Sequence, residues 1–299
     1  MATRLDDIAN GYHTGVGLIT DVNRFLEAIF SVDYGEPMTG ALRAALRGEA
    51  LVLCLALQNS RTPDVPAVAA ACGYDAVYVD LEHTSTSLET AQLLCVSALG
   101  AGISGLVRVP SADASQIARA LDIGAVGVIV PHINSSDEAQ AVVHAARFPP
   151  LGRRSISGPN AVSGYTSRTA PRLVEVLEEH TVVAVMIETP EGVAACDSIA
   201  AVDGIDMILI GPSDLTAEMG IHGQYENEHF HSAVESIAAA CRKHGVALGV
   251  AGIKSLDLLE RFVGLGLRFI SAGTDVGMMA EAAAARALAL RALERPREP

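Results

Sequence analysis

From Leu51 onward the chain repeats one pattern eight times: a short apolar run suited to a β-strand, then a segment of helical character. The runs cover 51–57 (LVLCLAL), 76–80 (AVYVD), 104–109 (SGLVRV), 126–130 (VGVIV), 182–187 (VVAVMI), 206–210 (DMILI), 246–250 (VALGV) and 268–272 (RFISA). Continuous rather than alternating apolar residues suit a parallel sheet covered on both faces. Segments such as Ser87–Leu99, Ser135–Arg147 and His229–His244 are long enough to serve as right-handed crossovers between parallel strands. Eight such units predict an α/β fold, a (β/α)8 TIM barrel. An open doubly wound sheet that bound a dinucleotide would carry a GxGxxG turn after its first strand. Here Leu57 is followed by Gln58-Asn59-Ser60-Arg61.

The barrel domain is expected over 39–299, with 1–38 as an N-terminal helical extension. In that extension Val22, Phe25, Leu26, Ile29 and Phe30 share one helical face behind a cap at Thr20 or Asp21. Glu36-Pro37 breaks the chain, and Thr39 is placed to cap a second short helix running through Leu46 to Gly48. Its expected place is a lid over the barrel bottom. An Ala-rich helix follows near 277–294.

Charge narrows the function. The 299 residues contain 35 Asp and Glu against 21 Lys and Arg, a net charge of −14, so the electrostatic footprint of a nucleic-acid binder is missing and an acidic membrane surface is disfavoured. Aromatic residues make up 4% and Trp is absent, which leaves few stacking platforms for bases or sugars. A small polar substrate fits better. The five cysteines, Cys54, Cys72, Cys95, Cys196 and Cys241, are widely spaced and form no CxxC, as expected for a reducing cytoplasm. No apolar run approaches the roughly 18 residues of a spanning helix, and the N-terminus does not read as a signal peptide.

In such a barrel the chemistry sits where the strands end. Strand 2 ends in Asp80-Leu81-Glu82-His83, strand 3 in Arg108, strand 5 in Glu188-Thr189 and strand 6 in Gly211-Pro212-Ser213-Asp214. Glu188 and Asp214 leave neighbouring strands, which lie roughly 4.8 Å apart, so both carboxylates can aim at one point. A hard divalent cation such as Mg²⁺ or Mn²⁺ would relieve their repulsion. The alternative is that each acid caps a helix. His83, with an ordinary pKa near 6.5, suits general acid or base work. Arg108 suits a substrate carboxylate or an enolate oxygen, or an ion pair with Asp80 or Glu82.

The long connection from Phe148 to Asn160, read as a rim loop, contains Arg153 and Arg154, which are placed to gather an anionic substrate; a solvated Arg pair is the alternative. The remaining histidines, including His229 and His231, are expected away from the rim and on the surface. Of the two lysines, Lys243 and Lys254, only Lys254 lies near a strand end, and a Schiff-base role would require it to be desolvated.

Taken together, these residues resemble the HpcH/HpaI family of class II, metal-dependent pyruvate aldolases. The matching stretches are Tyr74-Asp75 through Asp80-Leu81-Glu82-His83, Val107-Arg108-Val109-Pro110, Leu121-Asp122-Ile123-Gly124, Phe148-Pro149-Pro150-Leu151-Gly152-x-Arg154, Ile187-Glu188-Thr189 and Ile210-Gly211-Pro212-Ser213-Asp214-Leu215. The likeness spans roughly residues 41–290 and implies that Glu188 and Asp214 hold Mg²⁺, Mn²⁺ or Co²⁺, with pyruvate chelating the ion. It further implies that the amides of Ser213 and Asp214 receive the substrate carboxylate. Arg108 then stabilises the enolate, and His83, oriented by Asp122, serves as or positions the base. Asp80 and Glu82 support these groups, Gly211 and Pro212 line the substrate site, and the assembly is a homohexamer, often with the last helix exchanged. Met186 stands where several members carry Gln, and Ser155–Asn160 departs from their Gly-Val-Gly-Ser pattern. Both differences bear on substrate more than on metal.

The reaction so implied cleaves or forms a 4-hydroxy-2-oxo acid through a pyruvate enolate, with a 2-oxo acid and an aldehyde as partners. The same enolate chemistry would serve oxaloacetate decarboxylation, macrophomate-synthase-like carbon-carbon bond formation, or citrate-lyase-like cleavage of an acyl-CoA. A non-catalytic oligomeric binding barrel is the reading from another class.

Overall fold

A computed structural model describes residues 41–271 and 273–293. The extension expected over 1–38 lies outside them. The strands are β1 (Val52–Leu57), β2 (Ala76–Asp80), β3 (Ser104–Arg108), β4 (Gly127–Val130), β5 (Val182–Ile187), β6 (Met207–Ile210), β7 (Ala247–Ala251) and β8 (Leu267–Ser271). All pair in parallel with their sequence neighbours, and β8 pairs with β1 to close the barrel. The expected fold class is therefore the observed one, with strand bounds shifted by at most one residue.

Around the barrel run α1 (Ala41–Arg47), α2 (Asp64–Ala71), α3 (Leu88–Gly100), α4 (Ala114–Asp122), α5 (Ser136–Ala146), α6 (Ala170–His180), α7 (Pro190–Ala200), α8 (Pro212–Glu218), α9 (Glu228–His244), α10 (Leu256–Gly264) and α11 (Asp275–Arg291). Helix starts are chemically marked: the side chains of Ser87, Asp113, Ser135, Thr189, Asn227, Ser255 and Thr274 accept amides of the first turn.

Strand alternation divides the apolar residues into two sets. Val77, Val79, Val107, Val128 and Val185 face outward and pack beneath the helices. Ala76, Tyr78, Leu106, Ile129, Ala184, Met186 and Leu209 fill the barrel interior. At the N-terminal end of the strands α1 buries Leu42 and Leu46 against this interior set, the lid expected from the sequence.

The same end holds a charged knot. Arg147 is fully buried; its Nε donates to the Gly204 carbonyl (3.2 Å), its NH1 to Glu178 (3.0 Å) and the Thr181 carbonyl (3.1 Å), and its NH2 to Asp206. Asp206 also accepts Arg43 Nε (2.8 Å) and the Val183 amide (2.9 Å). A buried guanidinium is tolerable only with such partners. Asp206→Ala is expected to destabilise the chain by about 3 kcal/mol, read from urea unfolding. A loss below about 1 kcal/mol would mean that Glu178 alone neutralises Arg147.

Candidate active site

At the opposite end the strands open into a cavity of about 590 Å³ whose lining includes Tyr78, His83, Arg108, Met186, Glu188, Gly211, Pro212, Ser213 and Asp214. The predicted site residues thus come together, with Asp80 and Glu82 packed behind Arg108 and with one exception, Asp122. They form an arc that takes side chains from the ends of β2, β3, β5 and β6.

The arc begins with register. Asp80 and Arg108 are direct partners across β2 and β3, so their inward side chains stand side by side. Arg108 Nε and NH2 grip the two Asp80 oxygens at 3.0 and 2.6 Å, and NH1 lies 3.2 Å from Glu82 Oε2. Its guanidinium also stands 5.6 Å from the Tyr78 ring centre. Asp80 further accepts Gln58 Nε2 (3.1 Å) and the amides of Glu82 (3.0 Å) and His83 (3.3 Å). Burial works against the Asp80 charge, but Arg108, Gln58 and the His83 amide outweigh it and hold the carboxyl below its ordinary range. Arg108 is likewise opposed by burial and held above its ordinary value by Asp80 and Glu82. Burial pushes the Tyr78 phenol up to about 12. Gln58 is steadied from α11, because Asp275 accepts the amides of Gln58 (3.1 Å) and Ser60 (2.6 Å).

The arc continues with Glu188, 2% exposed at the end of β5. It caps no helix: Thr189 caps α7, and Gly211 stands at the start of α8. Because Ile187 and Ile210 are register partners, Gly211 sits beside Glu188, and a Cβ on Gly211 would collide with Glu188 Oε1. Burial raises the Glu188 carboxyl above its ordinary value; His132 partly offsets this, while the negative charges of Glu82 and Asp214 add to it. Among the described residues no three His, Cys, Asp or Glu side chains form a ready-made metal cage. Two carboxylates whose charges oppose each other nevertheless fit a hard divalent cation that completes its shell with substrate and water oxygens.

His83 lines the cavity with its side chain about half exposed (53%), Nε2 lying 3.6 Å from Glu82 Oε2. Three expectations are corrected. Within one chain Asp122 ends α4, which runs antiparallel to the strands, so it lies at the barrel bottom, away from that chain's own His83, and pairs with Arg154 at 2.7 Å. The 148–160 loop follows α5 and lies at that same end; Arg154 is buried there with its guanidinium 4.8 Å from the Phe148 ring centre, so it gathers no substrate at this chain's mouth. His231 is buried, not superficial, because it packs between α9 and α10 against Phe230 and Phe262 with Nδ1 2.6 Å from Arg261. Lys254 does line the cavity, but it is solvent-exposed and paired with Glu281 at 2.5 Å, so the desolvation a Schiff-base lysine needs is lacking.

Sequence reading missed His132, which was expected off the rim. It follows β4 at the mouth, where its Nε2 lies 3.0 Å from Glu82 Oε1 and its Nδ1 3.2 Å from Glu188 Oε2. Its place two residues beyond the fourth apolar run was the available signal.

The family model described as HpcH/HpaI aldolase/citrate lyase matches residues 55–282 of this chain. A 4-hydroxy-4-methyl-2-oxoglutarate aldolase of Hapsidospora irregularis is 35% identical over 253 residues, 83% of this chain and 94% of that protein. Another protein of that name, from Chaetomium globosum, is 37% identical over 79% of this chain and 89% of its own length. Among solved structures, an HpcH/HpaI aldolase from Desulfitobacterium hafniense superposes with a TM-score of 0.79 at 28% identity, covering 86% of this chain and 99% of that one.

Gly211→Ala is expected to displace Glu188 and to weaken activity at least tenfold while the fold is kept, checked by circular dichroism beside a turnover assay. Asp80→Asn is expected to cost about 3 kcal/mol at neutral pH by leaving Arg108 buried without its counter-charge. Because the folded Asp80 carboxyl lies below its unfolded value, its contribution is present above about pH 4 and is lost as pH falls through the folded value. The stability gap between wild type and variant, measured by denaturant titration, should therefore narrow in acid.

Proposed function

Because this chain belongs to the HpcH/HpaI aldolase/citrate lyase family, we propose that the site at its barrel mouth is an aldolase site that cleaves and forms 4-hydroxy-2-oxo acids through a pyruvate enolate. The observation that carries the reading is the convergence of a locked guanidinium, Arg108, and two acids, Glu188 and Asp214, on one cavity. Relatives that act on 4-hydroxy-4-methyl-2-oxoglutarate support a branched dicarboxylate as the substrate to try first.

Glu188 and Asp214 would hold Mg²⁺, Mn²⁺ or Co²⁺, and the bound ion would supply Lewis-acid stabilisation of the developing oxyanion. Arg108 is anchored by Asp80 before substrate arrives, so its remaining N–H groups aim at the enolate oxygen without reorganising. In cleavage a base accepts the C4 hydroxyl proton, the C3–C4 bond breaks, and its electron pair moves into the enolate as the carbonyl product leaves. Protonation at C3 then gives pyruvate. His83, on the cavity wall and beside Glu82, is the group assigned to this proton. The first-turn amides of Ser213 and Asp214 are assigned to the substrate carboxylate, with Gly211 and Pro212 shaping that wall.

The family likeness supports a homohexamer, and α11, which buries no residue within the chain, supports a contact made by the last helix. Among the described residues no helix is long and apolar enough to cross a membrane, and the cysteines are free. Free thiols support a cytoplasmic location.

Proton NMR of pyruvate in D₂O tests the enolate step whatever the carbonyl acceptor is. Mg²⁺-supplied protein is expected to erase the methyl signal, and an EDTA-treated sample or Asp214→Ala is expected to leave it. Exchange that survives EDTA would reject the metal role, and no exchange in any divalent metal would reject the pyruvate enolate.

A further inference from the structure

His132 holds a backbone conformation that non-glycine residues seldom take, with φ at +58°. Such a conformation persists where the surroundings over-determine it, and often where function requires it. Here the following residues are pinned to the neighbouring unit: the Ile133 amide donates to the Met186 carbonyl at 3.0 Å, and Thr189 donates its hydroxyl to Asn134 Oδ1 at 2.5 Å. The turn places both the amide (3.0 Å) and Nδ1 (3.2 Å) of His132 on one oxygen, Oε2 of Glu188. Its other ring nitrogen meets Glu82 Oε1 at 3.0 Å, and Glu82 in turn faces Arg108.

One Glu188 oxygen is therefore occupied by His132. The other, Oε1, is packed against Gly211 on the side where α8 carries Asp214. We infer that His132 is a positioning residue: it fixes the Glu188 carboxylate so that Oε1 is presented beside Asp214 to a divalent cation, and it ties that half of the site to Glu82 and Arg108. The inference rests on the metal role assigned to Glu188. Groups that hydrogen-bond a ligating carboxylate typically change metal affinity 10- to 100-fold when removed.

Two variants suit the backbone, since Asn tolerates and Gly favours a positive φ. His132→Asn keeps the Glu188-facing amide and a short donor, whereas His132→Gly keeps the amide alone. Mn²⁺ binding to metal-free protein, without substrate, is to be measured by electron paramagnetic resonance of the free ion, with thermal unfolding of the metal-free form as a fold control. The expected Kd for His132→Gly is at least tenfold above wild type, with His132→Asn between them and metal-free Tm little changed. An unchanged Kd, or affinity lost only in step with Tm, would overturn the positioning role. Tighter binding in the variants would also overturn it, by making His132 a counter-charge that competes with the cation. Failure of wild type to bind Mn²⁺ would reject the metal role of Glu188 itself, and with it this inference. Wild-type binding that the variants share would reject the inference alone.

Discussion

A guanidinium cannot stand inside the mouth of a barrel without a carboxylate to meet it, and the pairing of Arg108 with Asp80 satisfies that need through both Asp80 oxygens. Much of the site follows from this pair. Asp80 also gathers the amides of Glu82 and His83, which sets the path of the chain beyond β2 and brings His83 to the cavity. Gln58, steadied through Asp275 at the start of α11, reaches the same carboxylate. Elements far apart in sequence thus converge on one charge, and the Arg108 guanidinium is immobilised before any substrate binds.

The barrel separates this charge at its mouth from a second one at its base. At the strand N-termini, Arg147 is enclosed by Asp206, Glu178 and backbone carbonyls, an arrangement that leaves it no free donor geometry for a ligand. At the C-termini, by contrast, the acids are set close without full compensation: Glu188 is raised by burial and by the nearby charges of Glu82 and Asp214. Unrelieved negative charge of this kind is what the divalent cation of the proposed site would offset.

Much of the fold and part of the site was legible in the chain. The eight apolar runs identified every strand among the described residues, because strands covered on both faces must be apolar throughout. Reading the polar residues that end those runs found Asp80, Glu82, His83, Arg108, Glu188 and Asp214, since the barrel mouth collects strand ends. His132 escaped because it stands past a proline in a loop, and its partners Glu82 and Glu188 lie on other units, the latter 56 positions away. Arg154 was misplaced for a related reason: its segment follows a helix that returns to the bottom of the barrel, and a polar loop there has the same composition as one at the rim. Asp122, whose role came from the family resemblance, stands at that end because it closes α4.

The sequence by itself determined the repeat of eight units, the closed parallel barrel that such a repeat forms, and the acids, arginine and histidine at strand ends. Periodicity and burial are local properties, and each unit carries its own. Tertiary structure decided which of those side chains touch: the register that sets Asp80 against Arg108, the closeness of Gly211 to Glu188, the left-handed turn that turns His132 toward two carboxylates, and the burial of Arg154 and His231. These depend on the relative shift of neighbouring strands and on loops that cross between units, and no single unit contains that information.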